Sequence, residues 1–91
     1  MLLISWSEPA LDDLATIIGY IAERNPRAAD ALLDRIESAV LPASEHPYVF
    51  PGGRVAGTRE IVAHPNYIVI YQVKTDCIEV LSVLHSRQEY P

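Results

Sequence analysis

Three strand-like runs separated by short turns fill the second half of the chain and restrict its fold more than any other feature. The runs, predicted over 59–63, 67–73 and 77–84, are rich in β-branched and aromatic residues. Only three residues separate neighbouring runs, His64-Pro65-Asn66 and then Lys74-Thr75-Asp76. Turns this short join antiparallel strands, whereas a parallel pair needs a long crossover. The second half therefore predicts a three-stranded antiparallel meander.

A helical hairpin is predicted ahead of these strands. Ser7 and Asn25 are residues that cap helix N-termini, and proline follows each of them within the first turn. Apolar residues recur at helical spacing after both caps. The two helices are joined by about two residues at Arg24-Asn25, and Pro42 is expected to end or bend the second one. Residues 42–57, rich in proline and glycine, are predicted to be irregular.

The predicted fold class is α+β, in a single domain spanning 1–91. An N-terminal strand over 2–6 is followed by the α-helical hairpin and then the antiparallel meander, with the helices packed on one face of the sheet. The last two strands are apolar on both faces, which predicts a central position for them. Because 49% of the chain is hydrophobic, we expect part of the apolar surface to contact a partner.

Charge and cysteine content narrow the class of protein. The net charge of −5 argues against nonspecific binding to nucleic acid. Residues 1–50 hold eight of the twelve acidic residues and three of the seven basic ones, so the second half is neutral. The single cysteine, Cys77, is predicted to be a small buried apolar residue. The sequence shows neither a signal peptide nor a membrane-spanning run, and a soluble cytoplasmic protein is expected.

The order of these elements, together with several local runs, resembles the RelE/ParE toxin family of bacterial toxin–antitoxin modules. The resemblance covers essentially the whole chain. It rests on the runs Trp6-Ser7-Glu8-Pro9-Ala10-Leu11-Asp12-Asp13-Leu14, Gly57-Thr58-Arg59-Glu60, Tyr67-Ile68-Val69-Ile70-Tyr71 and Val80-Leu81-Ser82-Val83-Leu84-His85-Ser86-Arg87-Gln88.

The resemblance implies a small toxin that is neutralised by an antitoxin encoded beside it. Members of the ParE-like branch inhibit DNA gyrase, whereas RelE-like members enter the ribosome and cut mRNA. The His85-Ser86-Arg87 sequence and the scarcity of clustered lysines and arginines favour the ParE-like branch. The alternatives are ribosome-dependent mRNA cleavage and a non-toxic remnant that only binds the antitoxin.

The resemblance also assigns candidate site residues. A RelE-like nuclease would use Arg59, His85, Arg87 and Tyr90 as its catalytic residues, whereas a target-binding toxin would use Arg54, His85 and Arg87. If the last strand stayed extended, its period of two would put His85 and Arg87 on one face. The residues expected to contact the antitoxin are the apolar ones of the two helices, Leu11, Leu14, Ile18, Ile21, Leu33 and Ile36.

Structural roles remain open for the same residues. Arg59 can be an ordinary exposed strand start, and His85 a hydrogen-bonded strand cap. Arg87 can pair with Glu89, and Tyr67 and Tyr71 are expected to pack rather than to stack on bases.

No cofactor and no metal are predicted, because His46, His64 and His85 lack metal-ligand spacing. The chain also has no DNA-reading element of its own, so any operator binding is expected to come through the antitoxin.

Overall fold

The architecture follows the predicted order of one strand, two helices and three strands. The structure is a computed structural model that describes residues 1–88. The predicted α+β class and the helical hairpin are confirmed. The elements are β1 (Leu3–Trp6), α1 (Glu8–Ala22), α2 (Pro26–Glu45), β2 (Arg59–His64), β3 (Tyr67–Val73) and β4 (Cys77–His85).

The four strands form one sheet in the order β1-β4-β3-β2. β2 pairs with β3 and β3 with β4, both antiparallel, so the predicted meander is confirmed. β1 lies beside β4 and runs parallel to it, which makes the sheet mixed rather than a pure meander. The two strands that are apolar on both faces, β3 and β4, occupy the centre, as their composition predicts.

Both helices pack on one face of the sheet and form the hydrophobic core with it. Ala10 of α1 and Ile36 and Val40 of α2 meet Val69 and Tyr71 of β3, and all five are at most 1% exposed. The burial of Ile36 corrects the expectation that this residue contacts an antitoxin. Its side chain lies under α2 in the core and is 0% exposed, so it is not part of the accessible surface.

The helix boundaries are set by side-chain caps at their first residues. Ser7 Oγ accepts a hydrogen bond from the Ala10 N–H at 3.2 Å, and Asn25 Oδ1 accepts one from the Ala28 N–H at 3.1 Å. Each bond satisfies one of the backbone donors that a helix start leaves unpaired. The connection between the helices is 23–25, slightly longer than the predicted one.

Of the two effects predicted for Pro42, an end of the second helix is wrong, because α2 continues to Glu45. A proline removes one intrahelical hydrogen bond, but tertiary contacts hold the last turn in place. Ala43 is 0% exposed. Ser44 accepts a hydrogen bond from the Leu2 N–H at its carbonyl, and its hydroxyl donates one to the Leu2 carbonyl. These contacts tie the end of α2 to the chain just before β1.

Tyr71 holds the segment 46–58 against the sheet. Its hydroxyl donates a hydrogen bond to the Pro47 carbonyl at 2.6 Å, and the Phe50 ring meets its ring edge-on at 6.2 Å between centroids. The Tyr71 side chain is fully buried. Burial raises the pKa of the Tyr71 phenol, and the nearby Arg59 guanidinium only partly offsets this.

This raised pKa predicts a loss of stability in alkali. Because folding favours the neutral phenol, its contribution is fully present below the unfolded pKa of about 10 and is lost as the pH rises through the higher folded value. We expect the free energy of unfolding, measured by urea denaturation, to fall more between about pH 8 and pH 11 in the wild type than in Tyr71→Phe. Tyr20→Phe, at an exposed tyrosine, is the matched control and should follow the wild type. Equal slopes for Tyr71→Phe and the wild type would contradict this assignment.

Candidate functional site

A cleft of about 450 Å³ lies between α1 and the end of the sheet where β4 stops. Asp13, Ile17 and Tyr20 of α1 line one side, and Tyr67 and His85 line the other. Tyr67 begins β3 and His85 ends β4, and the two residues are paired across the antiparallel ladder. Side chains at a strand end are held by the sheet, so the cleft wall on this side is rigid.

The His85 imidazole has a defined tautomer. Its Nδ1 accepts a hydrogen bond from the Arg87 N–H at 3.1 Å. A neutral imidazole whose Nδ1 accepts carries its proton on Nε2. This hydrogen bond forms because the chain turns at 86–87 immediately after β4. The condition under which His85 and Arg87 would share a face, an extended chain past His85, is therefore not met, and Arg87 lies in a turn.

Three rings form a row across the end of the sheet. The Tyr67 ring lies between His64 and His85, at 5.8 Å and 5.5 Å between centroids. His64 repeats the local geometry of His85, since its Nδ1 accepts the Asn66 N–H at 3.0 Å. A second cavity of about 350 Å³ opens on the His64 side, next to Arg35 and Leu32. Tyr67 is thus shared between both cavities, a role beyond the packing expected of it.

Asp13 is a site residue that the sequence reasoning missed. Its Oδ2 accepts hydrogen bonds from the Ser82 hydroxyl at 2.7 Å and from the Val83 N–H at 3.0 Å. In the sequence, an acidic residue in the first turns of a helix is already explained by its favourable interaction with the helix dipole, so Asp13 gave no sign of a further role. The available signal was Ser82, the single polar residue in the apolar run 80–84.

Arg59 lies away from this cleft. It is paired with Tyr71, whereas His85 is paired with Tyr67, four residues earlier on β3. This offset corresponds to about 13 Å along the strand, and β2 and β4 flank β3 on opposite sides, roughly 10 Å apart. The Arg59 guanidinium donates hydrogen bonds to the carbonyls of Tyr48 and Phe50, at 3.2 and 2.6 Å. It also lies 5.0 Å from the centre of the Tyr48 ring.

These contacts predict a structural effect for Arg59→Ala. Hydrogen bonds from a charged donor contribute more than neutral ones, and we expect the free energy of unfolding to fall by about 2–3 kcal/mol. Arg59→Lys should recover only part of this, because an ammonium does not reproduce the planar fork of the guanidinium. Urea denaturation measures both changes. Arg27→Ala, at an exposed helical arginine, is the control and should change stability by less than about 0.5 kcal/mol.

The remaining charged candidates are divided between the two ends of the sheet. The Arg54 N–H donates a hydrogen bond to Glu60 Oε2 at 3.0 Å, which places Arg54 beside Arg59 and away from His85. Arg87 is exposed and adjoins the cleft through its bond to His85. Of the predicted set, His85 lines the cleft, and Arg87 contacts it through the backbone N–H, a bond that orients the imidazole and does not position the guanidinium. The prediction for Tyr90 falls outside the described residues.

The apolar helix residues differ in their exposure. Leu11 is 50% exposed, and Tyr20, on the same helix, is 61% exposed. Leu14, Ile18 and Ile21 are partly buried against the core, and Leu33 is partly buried on α2. An accessible apolar surface therefore exists on α1, and its contact with an antitoxin stays a prediction.

Two general points concern metals and membranes. Within residues 1–88, the side chains of His, Cys, Asp and Glu form no group of three or more that could hold a metal ion. None of the helices in this part of the chain is long and apolar enough to cross a membrane.

The lowered pKa of Glu79 is unrelated to the cleft. It is caused by hydrogen bonds from Gln72 and Lys74, and Glu79 lies six residues before His85 on β4.

Comparisons with known proteins agree with the fold. The chain is 38% identical to the putative toxin Y4kP of Sinorhizobium fredii, over 97% of this chain and 92% of that protein. It is 31% identical to the toxin RelE2 of Caulobacter vibrioides, over 91% and 93% of the two chains. The solved structure of a chromosomal ParDE system from Pseudomonas aeruginosa superposes with a TM-score of 0.81 at 21% identity, covering 93% of this chain and 96% of that one.

The RelBE2 toxin–antitoxin complex from Mycobacterium tuberculosis shares the fold at a TM-score of 0.60 and 21% identity, over 92% and 96% of the chains. The profile of the ParE toxins of type II toxin–antitoxin systems matches residues 4–90. With a match over nearly its whole length, the chain belongs to the ParE toxin family of type II toxin–antitoxin systems.

Proposed function

We propose that this toxin inhibits growth by binding DNA gyrase, and that a cognate antitoxin encoded beside it prevents this by covering α1. The family supports the toxin role, and the ParE-like branch is the one that acts on gyrase. The observation that carries the choice of target is the separation of Arg59 from His85, because it leaves the cleft with the features of a binding surface.

Cleavage of RNA requires several groups to converge on one phosphate. A base must activate the 2′-hydroxyl, a cation must stabilise the anionic phosphate, and an acid must protonate the leaving oxygen. The Arg59 guanidinium is bound to two loop carbonyls at the opposite end of the sheet. Among the described residues, Arg87 is the arginine that contacts His85, and it does so through its backbone N–H. The net charge of −5 also disfavours approach to ribosomal RNA.

The proposed target surface consists of His85, Tyr67 and Arg87 around the cleft. His85 offers an Nε2–H donor, Tyr67 a partly buried ring and Arg87 an exposed guanidinium. Aromatic and arginine side chains are the residue types most enriched among energetically dominant interface contacts. A protein surface can therefore be recognised here without a chemical step.

The proposed antitoxin surface is the side of α1 that carries Leu11. This side chain is 50% exposed, as expected where a partner removes apolar area from water. Leu14 and Ile18 extend the same apolar stripe towards the core, whereas Tyr20, about two and a half helical turns further on, lies on the opposite flank of α1 and lines the cleft. Because this chain carries a net negative charge, binding of the complex to operator DNA is assigned to the antitoxin.

Ribosome-dependent mRNA cleavage is the second candidate, and one feature favours it. His85 and Tyr67 lie together in a cleft, and the His85 Nδ1 accepts the Arg87 N–H, which leaves Nε2 for a substrate. Histidine is the side chain most often used as a general acid or base. One relative of this chain is a toxin named RelE2. This alternative places catalysis on His85 and gives Arg59 a structural role only.

The experiment that separates the candidates is induction of the toxin alone in a bacterial host, with DNA and protein synthesis followed in the first minutes. We expect DNA synthesis to fall and a DNA-damage response to appear. Purified toxin should inhibit supercoiling by purified gyrase, and addition of the antitoxin should restore it. A prompt fall in protein synthesis with new breaks in translated messages would favour mRNA cleavage. Unchanged growth would show a non-toxic, antitoxin-binding protein.

A further inference from the structure

An irregularity in β4 determines which face of the sheet carries His85. Ile70 of β3 pairs with Ser82, but the next residue, Tyr71, pairs with Val80, so Leu81 has no partner in the ladder. Two residues of β4 thus oppose one of β3, which is a β-bulge. Ile78 and Val80 face the helices, and after the bulge Val83 does so as well. Without the extra residue, the period of two would instead direct Ser82 and Leu84 towards the helices.

The consequence for His85 is direct. His85 lies two residues after Val83 and lines the cleft together with it, on the helix-covered side. In a ladder without the bulge, His85 would share the opposite face with Val83. The cleft would then lose its imidazole. The bulge therefore creates the candidate site.

The hydrophobic pattern alone does not fix this register. Both alternating sets of the run 80–84 contain large apolar residues, Leu84 in one and Val83 in the other. If the register shifted so that Leu84 faced the helices in place of Val83, the apolar area facing the helices would be similar. Strands that are apolar on both faces specify their register weakly. Some other interaction must decide between the two arrangements.

The side chains of Ser7, which caps α1, and of Asp13, on α1, bind β4 at the bulge and just after it. Ser7 Oγ donates a hydrogen bond to the Leu81 carbonyl at 3.2 Å. Asp13 Oδ2 accepts from the Ser82 hydroxyl at 2.7 Å and from the Val83 N–H at 3.0 Å. The last two are charge-assisted hydrogen bonds, which are shorter and stronger than neutral ones. Without the bulge, Ser82 would still face the helices, so its hydroxyl contact does not distinguish the two registers. The contacts that depend on the bulge are the backbone ones, made by the Leu81 carbonyl and the Val83 N–H, because backbone groups alternate between the two edges of a strand.

We propose that Asp13 is a positioning residue, which holds the β4 bulge and thereby keeps His85 in the cleft facing α1. It acts through the backbone of β4 and is not assigned contact with the target. The positioning of His85 by Asp13 does not depend on which target the toxin binds. Only its effect on toxicity rests on the proposed function.

The test uses the ring contact between His85 and Tyr67, whose centroids are 5.5 Å apart. In the NMR spectrum of the purified toxin, nuclear Overhauser contacts should connect the two rings. We expect Asp13→Ala to abolish the His85–Tyr67 contact while the His64–Tyr67 contact, in the same molecule, persists. A variant that had lost its fold would lose both contacts, so His64 serves as an internal reference.

Three further variants complete the test. Asp12→Ala, at the exposed neighbouring carboxylate, should keep both contacts. Asp13→Asn retains an oxygen that can accept the Val83 N–H but loses the charge of the carboxylate, and it should restore only part of the His85 contact. Deletion of Leu81 removes the extra residue itself and should remove the His85 contact with Asp13 intact. Persistence of the full His85–Tyr67 contact in Asp13→Ala would overturn the proposal.

Growth measurements separate this proposal from the proposed function. Loss of the ring contact together with loss of growth inhibition in Asp13→Ala supports both. Loss of the ring contact with growth inhibition unchanged supports the positioning role and overturns the use of His85 in target binding. If Asp13→Ala loses both ring contacts, Asp13→Asn is compared with Asp12→Ala instead. A His85–Tyr67 contact that is weakened in Asp13→Asn and not in Asp12→Ala supports the positioning role. Equal spectra of the two variants overturn the positioning role.

Discussion

Replacing Ile36 by alanine should lower the free energy of unfolding by about 2–5 kcal/mol, since it removes a large apolar side chain from a packed core and leaves a cavity. Ile36 is 0% exposed and contacts the core shared by α2 and the sheet. A loss of this size is a large fraction of the stability of a chain of 91 residues. Urea or thermal denaturation of the purified variant gives the change directly.

Leu11→Ala is the matched control for this prediction, since it truncates an apolar helix residue that is 50% exposed. We expect its free energy of unfolding to stay within about 0.5 kcal/mol of the wild type. Its affinity for the antitoxin should fall, because Leu11 belongs to the proposed antitoxin surface. The reverse order of the two stability changes would contradict the assignment of Ile36 to the core. Unchanged antitoxin affinity in Leu11→Ala would contradict the proposed surface.

Much of the fold could be predicted from the sequence because local signals agreed with one another. Capping residues before the helices, apolar spacing along them and short turns between the strands each set one element independently. The central position of β3 and β4 also followed from composition, because strands that are apolar on both faces are favoured inside a sheet rather than at its edge. The parallel pairing of β1 with β4 joins residues far apart in the sequence, and no local pattern specifies it.

The errors have a common physical origin in tertiary contacts that override local preference. Pro42 carries a strong signal for the end of a helix, but the buried Ala43 and the bonds of Ser44 to Leu2 continue α2 past it. Helical periodicity placed Ile36 on the same stripe of α2 as Leu33, which is only partly buried. Whether a stripe residue is buried depends on the sheet packed against it, and periodicity alone does not reveal this.

The candidate site was only partly predictable for the same reason. His85 could be found as the polar residue that ends an apolar strand. Its orientation depends on an unpaired Leu81 and on a carboxylate from α1, Asp13. A bulge shifts the alternation of side chains by one residue, and it has no signature in the residues 80–84 beyond the single serine. A RelE-like nuclease would need Arg59 to act together with His85, but the ladder places Arg59 at the other end of the sheet.

Truncation of His85 tests whether the cleft is the surface that binds the target. Removing the dominant residue of an interface costs about 2 kcal/mol or more, which corresponds to a loss of affinity of about 30-fold. We expect His85→Ala to need at least about 30-fold more toxin for half-maximal inhibition of gyrase supercoiling. The fold should be retained, since His85 is partly exposed at a strand end.

His46→Ala is the control, since His46 is an exposed histidine at the end of α2, remote in the fold from the cleft. It should inhibit gyrase as the wild type does. Equal inhibition by His85→Ala and the wild type would remove the cleft from the target surface. An equal loss in both histidine variants would show that the assay reports stability rather than contact. If the wild type inhibits gyrase and only His85→Ala fails, the cleft is a contact surface for gyrase, and Arg87→Ala then tests how far that surface extends into the turn after β4.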